Sequence, residues 1–405
     1  MPVSVFYGTF AKINTNADQG ITGVGFTPRA IILWAGLNTA DGFRNGQLDF
    51  EVGFASGVGE NRAVCGMARD NVATSFAQRN RTEAFCFFRQ DNNGNDVARA
   101  ELASFDSDGF TLTWSANVGP ASIIHFLALA GDVVSAEVGS FNLTTGTGDV
   151  AVTGVGFRPD FVLMLWTFTE AVDTDTTHLG MGIGMAVSST QRGALATVNE
   201  DGANPPDTWR QQRSSQCILV LAPSTGAQDA IADFVSMDSD GFTVNKSDGP
   251  AATVSIFYLA LRGARWAVGT FNQPGSTGNQ ATTGVGFPPR ALLLLSFQAA
   301  ADDTILAEHK IMMGCGTGAT ARGCTSIHSV DGVTSQNAEN LQRDLIAQMI
   351  TADTTIDAEG DLTSLDTDGW TIDWTTVDAV ARQLLYLAIG DDAPRGGGGD
   401  GFFIA

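Results

Sequence analysis

The chain has 405 residues and a formal net charge of −22, and 43% of its residues are hydrophobic. This length and apolar content suit two or three domains, each large enough to bury a core. Because such an acidic surface repels phosphate backbones, we expect no nucleic-acid partner. No apolar run approaches the roughly 18 residues of a membrane-spanning helix, so the sequence predicts no membrane span.

The N-terminal segment 1–8 lacks the charged region, apolar core and cleavage site of a secretory signal peptide. We therefore expect synthesis in the cytoplasm. The five cysteines do not recur at matching intervals, and no CxxC pair is present. This spacing indicates free buried thiols rather than disulfides or a tetrathiolate zinc site.

A motif of the form Thr-Gly-Val-Gly-Phe-x-Pro occurs three times, at 22–28, 153–159 and 283–289. Its first glycine recurs at intervals of 131 and 130 residues, and other landmarks repeat in the same order. Self-similarity at a fixed period indicates tandem copies of one unit. We predict three β-sandwich repeats at 1–132, 133–264 and 265–394, followed by a Gly-rich tail at 395–405.

Each motif precedes a short apolar run, at 30–34, 161–166 and 291–295. Glycine permits unusual backbone conformations, and proline cannot donate to a strand ladder, so the motif should end one element before the next begins. The run behind it is continuous rather than alternating and is too short for a helix. It predicts a central strand that is buried on both faces.

A second element, Asp-x-Asp-Gly-aromatic-Thr, occurs late in each repeat, at 106–111, 238–243 and 366–371. Asp-Gly is a strong signal for a two-residue hairpin turn. After the first copy, Phe110, Leu112 and Trp114 alternate with polar residues, as a half-buried strand requires. The element therefore predicts a β-hairpin.

Many short strands separated by Gly, Pro and Asp turns predict an all-β fold of three jelly-roll-like β-sandwich domains. The repeats could pack around a pseudo-threefold axis or form a linear string. The segment 336–349 is the best helical candidate, and 210–219 is ambiguous. The tail is expected to be a flexible linker with an apolar tip, either disordered or docked into a neighbouring subunit.

The aspartates of the hairpin element also resemble part of a calcium loop. An EF-hand would add a glutamate beyond the glycine, and none follows here. We favour the turn and keep a surface Ca²⁺ site as the alternative, which would use Asp106, Asp108, Asp238, Asp240, Asp366 and Asp368. No other cofactor is expected.

An arginine recurs 38 or 39 residues after each motif glycine, at Arg62, Arg192 and Arg322, and Arg81, Arg213 and Arg343 align roughly behind them. In a chain with only three lysines, such arginines suit bidentate pairing with carboxylates. They are either salt bridges within or between repeats, or contacts at the pseudo-symmetry axis or with an acidic partner. Trp209 could stack on a sugar if it is exposed.

The four histidines occupy unrelated positions in the repeats, and no HExxH, GxSxG or Walker motif is present. Catalytic residues usually break repeat symmetry at one rich cluster, and the sequence presents none. A glycan-processing enzyme would need paired carboxylates across a groove. We predict that the protein is not an enzyme.

The motifs TGVGFxPxxVxxxW and SFDSDGFTLxW resemble repeat segments in tail, fibre and other virion proteins of tailed phages and related prokaryotic viruses. The resemblance implies β-sandwich modules in a particle component and carries over no catalytic residue. We therefore expect a non-enzymatic structural protein of the virion, in the tail, baseplate or capsid surface. It would contact other virion proteins as a homo-oligomer or symmetric assembly. The alternative is a receptor-binding or lectin-like adhesin that attaches to host surface glycans.

Overall fold

In a computed structural model of the protein, residues 2–133, 135–351 and 355–392 are described. Every regular element in these ranges is a β-strand, and the strands pair antiparallel. The prediction of an all-β fold is confirmed. The tail at 395–405, for which we expected a linker with an apolar tip, lies outside the described residues.

Each repeat contributes eleven strands. In repeat 1 they are β1 (Ser4–Ala11), β2 (Asp18–Thr22), β3 (Ala30–Ala35), β4 (Gly42–Asn45), β5 (Gln47–Gly57), β6 (Glu60–Arg69), β7 (Ala77–Thr82), β8 (Phe87–Gln90), β9 (Asp96–Asp106), β10 (Gly109–Ser115) and β11 (Ile123–Ala130). In repeat 2 they are β12 (Ser135–Leu143), β13 (Gly148–Thr153), β14 (Phe161–Thr167), β15 (Thr176–Thr177), β16 (Leu179–Ala186), β17 (Arg192–Asn199), β18 (Thr208–Arg213), β19 (Ile218–Leu221), β20 (Gln228–Asp238), β21 (Gly241–Asp248) and β22 (Val254–Arg262). In repeat 3 they are β23 (Arg265–Asn272), β24 (Gly278–Thr283), β25 (Pro289–Ser296), β26 (Leu306–Ala307), β27 (His309–Gly318), β28 (Ala321–Ser329), β29 (Ala338–Arg343), β30 (Ala347–Ile350), β31 (Ile356–Asp366), β32 (Gly369–Thr376) and β33 (Gln383–Gly390).

These strands form one large and one small sheet per repeat. In repeat 1 the large sheet has the order β1-β11-β3-β5-β6-β7 and the small sheet the order β2-β10-β9-β8. The corresponding strands of repeats 2 and 3 follow the same orders. Ile31 and Leu33 of the large sheet share a hydrophobic cluster with Phe110 and Leu112 of the small sheet. The two sheets therefore pack face to face as a sandwich.

The apolar run after each motif is the central strand that the sequence predicts. All six residues of β3 are buried. Because successive side chains point to opposite faces, Ile31 and Leu33 enter the core of their own sandwich, whereas Ile32 and Trp34 enter a second cluster. That second cluster also contains Leu163 and Leu293 from the other repeats. The three large sheets thus share one central core.

The Asp-x-Asp-Gly element forms the predicted hairpin between β9 and β10. Its glycine, Gly109, has a φ of +146°, and a Cβ at this position would lie 1.9 Å from the carbonyl oxygen of Ile21. Gly241 and Gly369 are in the same situation in repeats 2 and 3. Only glycine fits, because both the backbone conformation and the close approach of β2 exclude a side chain.

One strand of each repeat leaves its own sandwich, and we call these strands, β4, β15 and β26, the arms. β15 of repeat 2 extends the large sheet of repeat 1 beside β7, and β26 of repeat 3 extends that of repeat 2 beside β18. β4 of repeat 1 extends the large sheet of repeat 3 beside β29. Each repeat gives one arm and receives one, so the three exchanges close into a ring. We call the three junctions the seams.

The helix considered for 336–349 is wrong. This segment contains β29 and most of β30. β29 pairs with β28 on one edge and with the arm β4 on the other. These pairings override the good helix propensity of the Gln, Glu and Leu residues in the segment. The ambiguous segment 210–219 is not helical either: it contains the end of β18 and the start of β19, joined by a bend at 214–217.

All five cysteines are buried and unbridged, which confirms the interpretation of their spacing. Within the described ranges, no helix is long and apolar enough to cross a membrane.

Candidate functional site

Sequence spacing places Arg62 at the same repeat position as Arg192 and Arg322, but the strand pairing does not. Following the pairing outward from β3, β14 and β25 identifies Asn61, not Arg62, as the counterpart of Arg192 and Arg322. Neighbouring residues of a strand point to opposite faces. The side chain of Arg62 therefore lies on the other face of its sheet.

Arg192 and Arg322 bind carboxylates on the small sheet of their own repeat. Arg322 forms a bidentate salt bridge with Asp361, in which Nη2 lies 2.6 Å from Oδ2. Arg192 Nη2 lies 3.2 Å from Asp233 Oδ1. Arg62 instead lies 5.6 Å from the centroid of the Phe257 ring in repeat 2. The salt-bridge interpretation fits Arg192 and Arg322. Arg62 combines its contact with repeat 2 with a longer ion pair in its own repeat, in which Nη2 lies 3.8 Å from Glu83 Oε2.

The second aspartate of each hairpin element fastens the glycines of the Thr-Gly-Val-Gly-Phe motif. Asp108 accepts hydrogen bonds from the backbone N–H groups of Gly23 at 3.0 Å and Gly25 at 2.6 Å. The same pair of bonds joins Asp240 and Asp368 to the two motif glycines of their repeats, Gly154, Gly156, Gly284 and Gly286. The two recurring motifs of the sequence are thus the two halves of one contact.

The first aspartate of each element is held within its own hairpin. Asp106 accepts hydrogen bonds from the hydroxyls of Ser104 and Thr111, both at 2.8 Å. Asp238 and Asp366 are bound in the same way. No group of three or more metal-binding side chains is found among the described residues. The aspartates stabilise the hairpins, and calcium binding stays a prediction.

Trp209 is a half-buried packing residue of β18, opposite Ala307 of the incoming arm. Its indole lies against the backbone of Gly226, where a Cβ would come within 2.1 Å of Trp209 Cγ. The ring therefore covers a tight loop and is not an open platform. Stacking on a sugar stays a prediction.

The sequence did not single out the residues that hold two of the arms. Arg79 of repeat 1 donates from Nη1 to the carbonyl oxygens of Thr177 and His178, the latter at 2.7 Å, and from Nη2 to that of Phe168 at 3.1 Å. Arg210 of repeat 2 donates from Nη1 to the carbonyl oxygens of Ala307 and Glu308, the latter at 2.8 Å.

Both arginines are 5% exposed. Buried guanidinium donors of this kind satisfy several backbone acceptors at once.

Asn340 takes the corresponding position in repeat 3, and its side-chain amide donates to the carbonyl oxygen of Gln47. Its Oδ1 accepts a hydrogen bond of 3.2 Å from the backbone N–H of Asp49. All three seams thus carry a side-chain clamp, which in the third seam holds the start of β5, just after the arm.

A second set of seam contacts lies in the loops after β6, β17 and β28. The carboxylate of Asp201 accepts from the N–H of Ala77 at 2.9 Å, and the same bond joins Asp331 to Thr208 and Asp70 to Ala338. Backbone bonds between the same loops run from Asn71 to Gln336, from Gly202 to Ser75 and from Gly332 to Pro206. The loops close the ring at one end.

Repeat 1 breaks the symmetry with a buried ion pair. Arg89 donates from Nε and Nη2 to the two carboxylate oxygens of Glu51, the second at 2.9 Å. Arg89 also donates to Ser122 Oγ and to the carbonyl oxygen of Gly36 at 2.7 Å. In the strand register the pair is replaced by Gly182 and Val220 in repeat 2 and by Met312 and Met349 in repeat 3.

Beside this ion pair lies a cleft of about 300 Å³, lined by Arg44 and Asp49 together with apolar residues that include Leu37, Val118 and Pro120. Asp49 has no solvent exposure. Its Oδ2 accepts a hydrogen bond of 2.8 Å from Gln47 Nε2, but its Oδ1 has no partner. Arg44 donates to the carbonyl oxygen of Leu37. We call this cleft, with Arg44 and Asp49, the repeat 1 cleft.

The environment of the repeat 1 cleft shifts the ionisation of its charged groups. Burial, and then the charge of Glu51, raise the pKa of Asp49 well above its usual range, although Arg89 and Arg44 oppose the shift. Burial, and then the charge of Arg89, lower the pKa of Arg44. Burial therefore destabilises the charged form of both groups. A cation beside Asp49 and an anion beside Arg44 would each stabilise the charged form.

Comparison of the chain with protein-family models, with curated proteins and with solved structures gave no match.

Proposed function

We propose that this protein is a non-enzymatic structural component of a virus particle, placed in the tail, baseplate or capsid surface of a tailed virus. The observation that carries the proposal is the cyclic exchange of the three arms. The three repeats of one chain thereby contact each other in a closed ring, as the three subunits of a trimer would. Such a ring is suitable as a building block of a symmetric assembly.

Head-to-tail contacts, in which each unit gives an element to the next, generate a ring when the last unit meets the first and a filament when it does not. Here each arm is used within the chain, and the arms cover the outer edge strands β7, β18 and β29. An unpaired edge strand is a template for uncontrolled pairing. A closed ring would meet its partners through loops and outer sheet faces, so its position in a particle can be specific.

The partners in this proposal are other virion proteins and further copies of the same chain. The net charge of −22 opposes a role in packaging nucleic acid. The repeated polar contacts also support a structural role, because most of them join strands, loops and arms.

The experiment is detection of the protein in particles. An antibody raised against the purified chain would be used to probe density-gradient fractions of particles from the producing culture, with a cytoplasmic host enzyme as the negative marker. We expect the protein to sediment with the particles and to remain there after a high-salt wash, which removes adsorbed acidic proteins. Recovery only in the soluble fractions with the host enzyme would overturn the proposal.

The adhesin alternative is less well supported. An adhesin would use Trp209 and the hairpin aspartates, but the indole packs on Gly226, and the aspartates accept hydrogen bonds within the fold. A glycan array, run with calcium and with a chelator, tests it. Saturable binding to a host-type glycan would favour the adhesin.

A further inference from the structure

The repeat 1 cleft contains two groups of opposite charge that do not satisfy each other. Asp49 Oδ1 is buried without a hydrogen-bond partner, and Oδ2 has only the neutral amide of Gln47. The hydrogen bond from Arg44 goes to the neutral carbonyl of Leu37. Within the described part of the chain, no carboxylate forms an ion pair with Arg44. A buried carboxyl oxygen without a donor costs free energy, which a ligand that supplies the donor would recover.

The neighbouring charges do not supply that partner. Four of the five N–H donors of Arg89 are engaged by Glu51, Ser122 and Gly36, and Glu51 neutralises its charge. The carboxylate of Asp91, at the edge of the cleft, accepts hydrogen bonds from Asn93 and Asn95. The ion pair and the Asp91 loop therefore line the cleft with groups that already have partners. Asp49 and Arg44 are the charged groups that remain to bind a ligand.

We propose that the repeat 1 cleft binds a small zwitterion of the α-amino acid class, with its carboxylate on Arg44 and its ammonium group on Asp49, whose buried side chain turns toward the cleft when the ligand enters. Hydrogen bonds between charged groups are about twice as strong as neutral ones, so a ligand that brings both charges is favoured over a neutral sugar. A volume of about 300 Å³ accommodates a molecule of this size. Leu37, Val118 and Pro120 would contact its apolar part. This site does not depend on the role in a virus particle.

The counterpart positions explain why only one repeat carries the site. In the strand register Asp49 corresponds to Gly180 in repeat 2 and to Lys310 in repeat 3. Glycine offers no side-chain acceptor, and the ammonium of Lys310 lies 2.9 Å from Glu308 Oε2. The ring would thus bind one ligand per chain.

Isothermal titration calorimetry of the full chain with four small molecules tests the assignment. L-serine carries both charges, ethanolamine lacks the carboxylate, L-lactate lacks the ammonium, and D-glucose is neutral. We expect saturable binding of L-serine with one site per chain, and at least about tenfold weaker binding of the other three, the effect of losing one charge-assisted contact. Equal binding of D-glucose, or no heat from L-serine at millimolar concentration, would overturn the proposal.

Two conservative variants locate the site. Asp49→Asn and Arg44→Gln should each weaken L-serine binding at least about tenfold. The control Asp149→Asn changes an exposed carboxylate in repeat 2 and should leave binding unchanged. Thermal melting of each variant shows whether it is folded before titration. Unchanged affinity in the folded Asp49 and Arg44 variants would show that L-serine binds elsewhere and would overturn the assignment.

Discussion

Arg79 of repeat 1 donates a hydrogen bond of 2.7 Å to the carbonyl oxygen of His178 in repeat 2. The seam between repeats 2 and 3 has the same kind of bond from Arg210, but the seam between repeats 3 and 1 uses the shorter Asn340. That third seam joins repeats that are not consecutive in the chain. Its arm makes four residue pairs with β29, whereas the other two arms make two each. The third seam thus combines a smaller side-chain clamp with a longer strand pairing.

The first prediction concerns this clamp. Arg79→Met keeps the length of the side chain but leaves the carbonyl oxygens of Thr177, His178 and Phe168 without their donor. We expect the free energy of unfolding to fall by at least ~2 kcal/mol, because a buried polar group without a partner costs roughly 1–3 kcal/mol. Urea denaturation measures the loss. The control Arg29→Met, at an exposed position, should change stability by less than about 0.5 kcal/mol. Equal effects of the two variants would contradict the role of Arg79.

The second prediction concerns the ion pair of Glu51 and Arg89. Arg89→Met alone leaves a buried carboxylate without its partner and should cost about 3–5 kcal/mol of unfolding free energy. The double variant Glu51→Met with Arg89→Met reproduces the residues of repeat 3, Met312 and Met349. It should recover most of that loss, because a buried ion pair is often replaced by apolar residues at little cost. Urea denaturation measures the free energy of unfolding of both variants. A double variant no more stable than Arg89→Met would contradict the expectation that apolar residues can replace the ion pair.

Local signals in the sequence were sufficient for much of the fold. The apolar residues of β3 and the Asp-Gly turn before Phe110 specify a buried strand and a hairpin through their own composition. The arms gave no such signal. β15 consists only of Thr176 and Thr177 and becomes a strand through its pairing with β7. The helix considered for 336–349 failed for the same reason, since the edges that pair with β29 lie elsewhere in the chain.

The site residues were harder to predict because their partners are distant in sequence. Asp108 contacts Gly23 across 85 residues, so the sequence could not show that its oxygens accept hydrogen bonds from backbone N–H groups. Glu51 and Arg89 are 38 residues apart. One signal was present: Asp49 and Glu51 lie two residues apart in a strand and so share a face, where the other repeats carry Gly, Lys or Met.

The third prediction tests the calcium alternative at the hairpins. Asp108→Asn keeps the shape of the side chain but replaces one of the two oxygens that accept from Gly23 and Gly25. We expect a loss of about 0.5–1.5 kcal/mol, the net worth of one hydrogen bond, since the contact is exposed and water can replace the lost acceptor. Because both oxygens are already engaged, we also expect the melting temperature of the wild-type protein to be the same in calcium and in a chelator. A calcium-dependent rise that disappears in Asp108→Asn would establish the metal site instead.

The fourth prediction concerns His328, which is buried in repeat 3 near the seam with repeat 2. Burial, and then the charges of Lys310 and Arg210, lower the pKa of His328 to about 3. Glu308 also faces the ring, with its Oε1 3.9 Å from Nε2, and Glu339 is its strand neighbour on β29. His328 is therefore neutral in the folded protein over the range in which an unfolded histidine, with a pKa of about 6.5, becomes protonated.

Between these two pKa values the unfolded state binds more protons than the folded state, so the stability contributed by neutral His328 is complete above pH ~6.5 and is lost as the pH falls. His328→Gln removes this dependence. We expect the plot of unfolding free energy against pH, between pH 6 and 4.5, to be shallower in the variant by up to about 1.4 kcal/mol per pH unit. The buried carboxyls of Asp49 and Glu51, whose raised pKa values act in the opposite direction, are common to both proteins and cancel in the difference. Parallel plots for the two proteins would show that folding does not lower the pKa of His328.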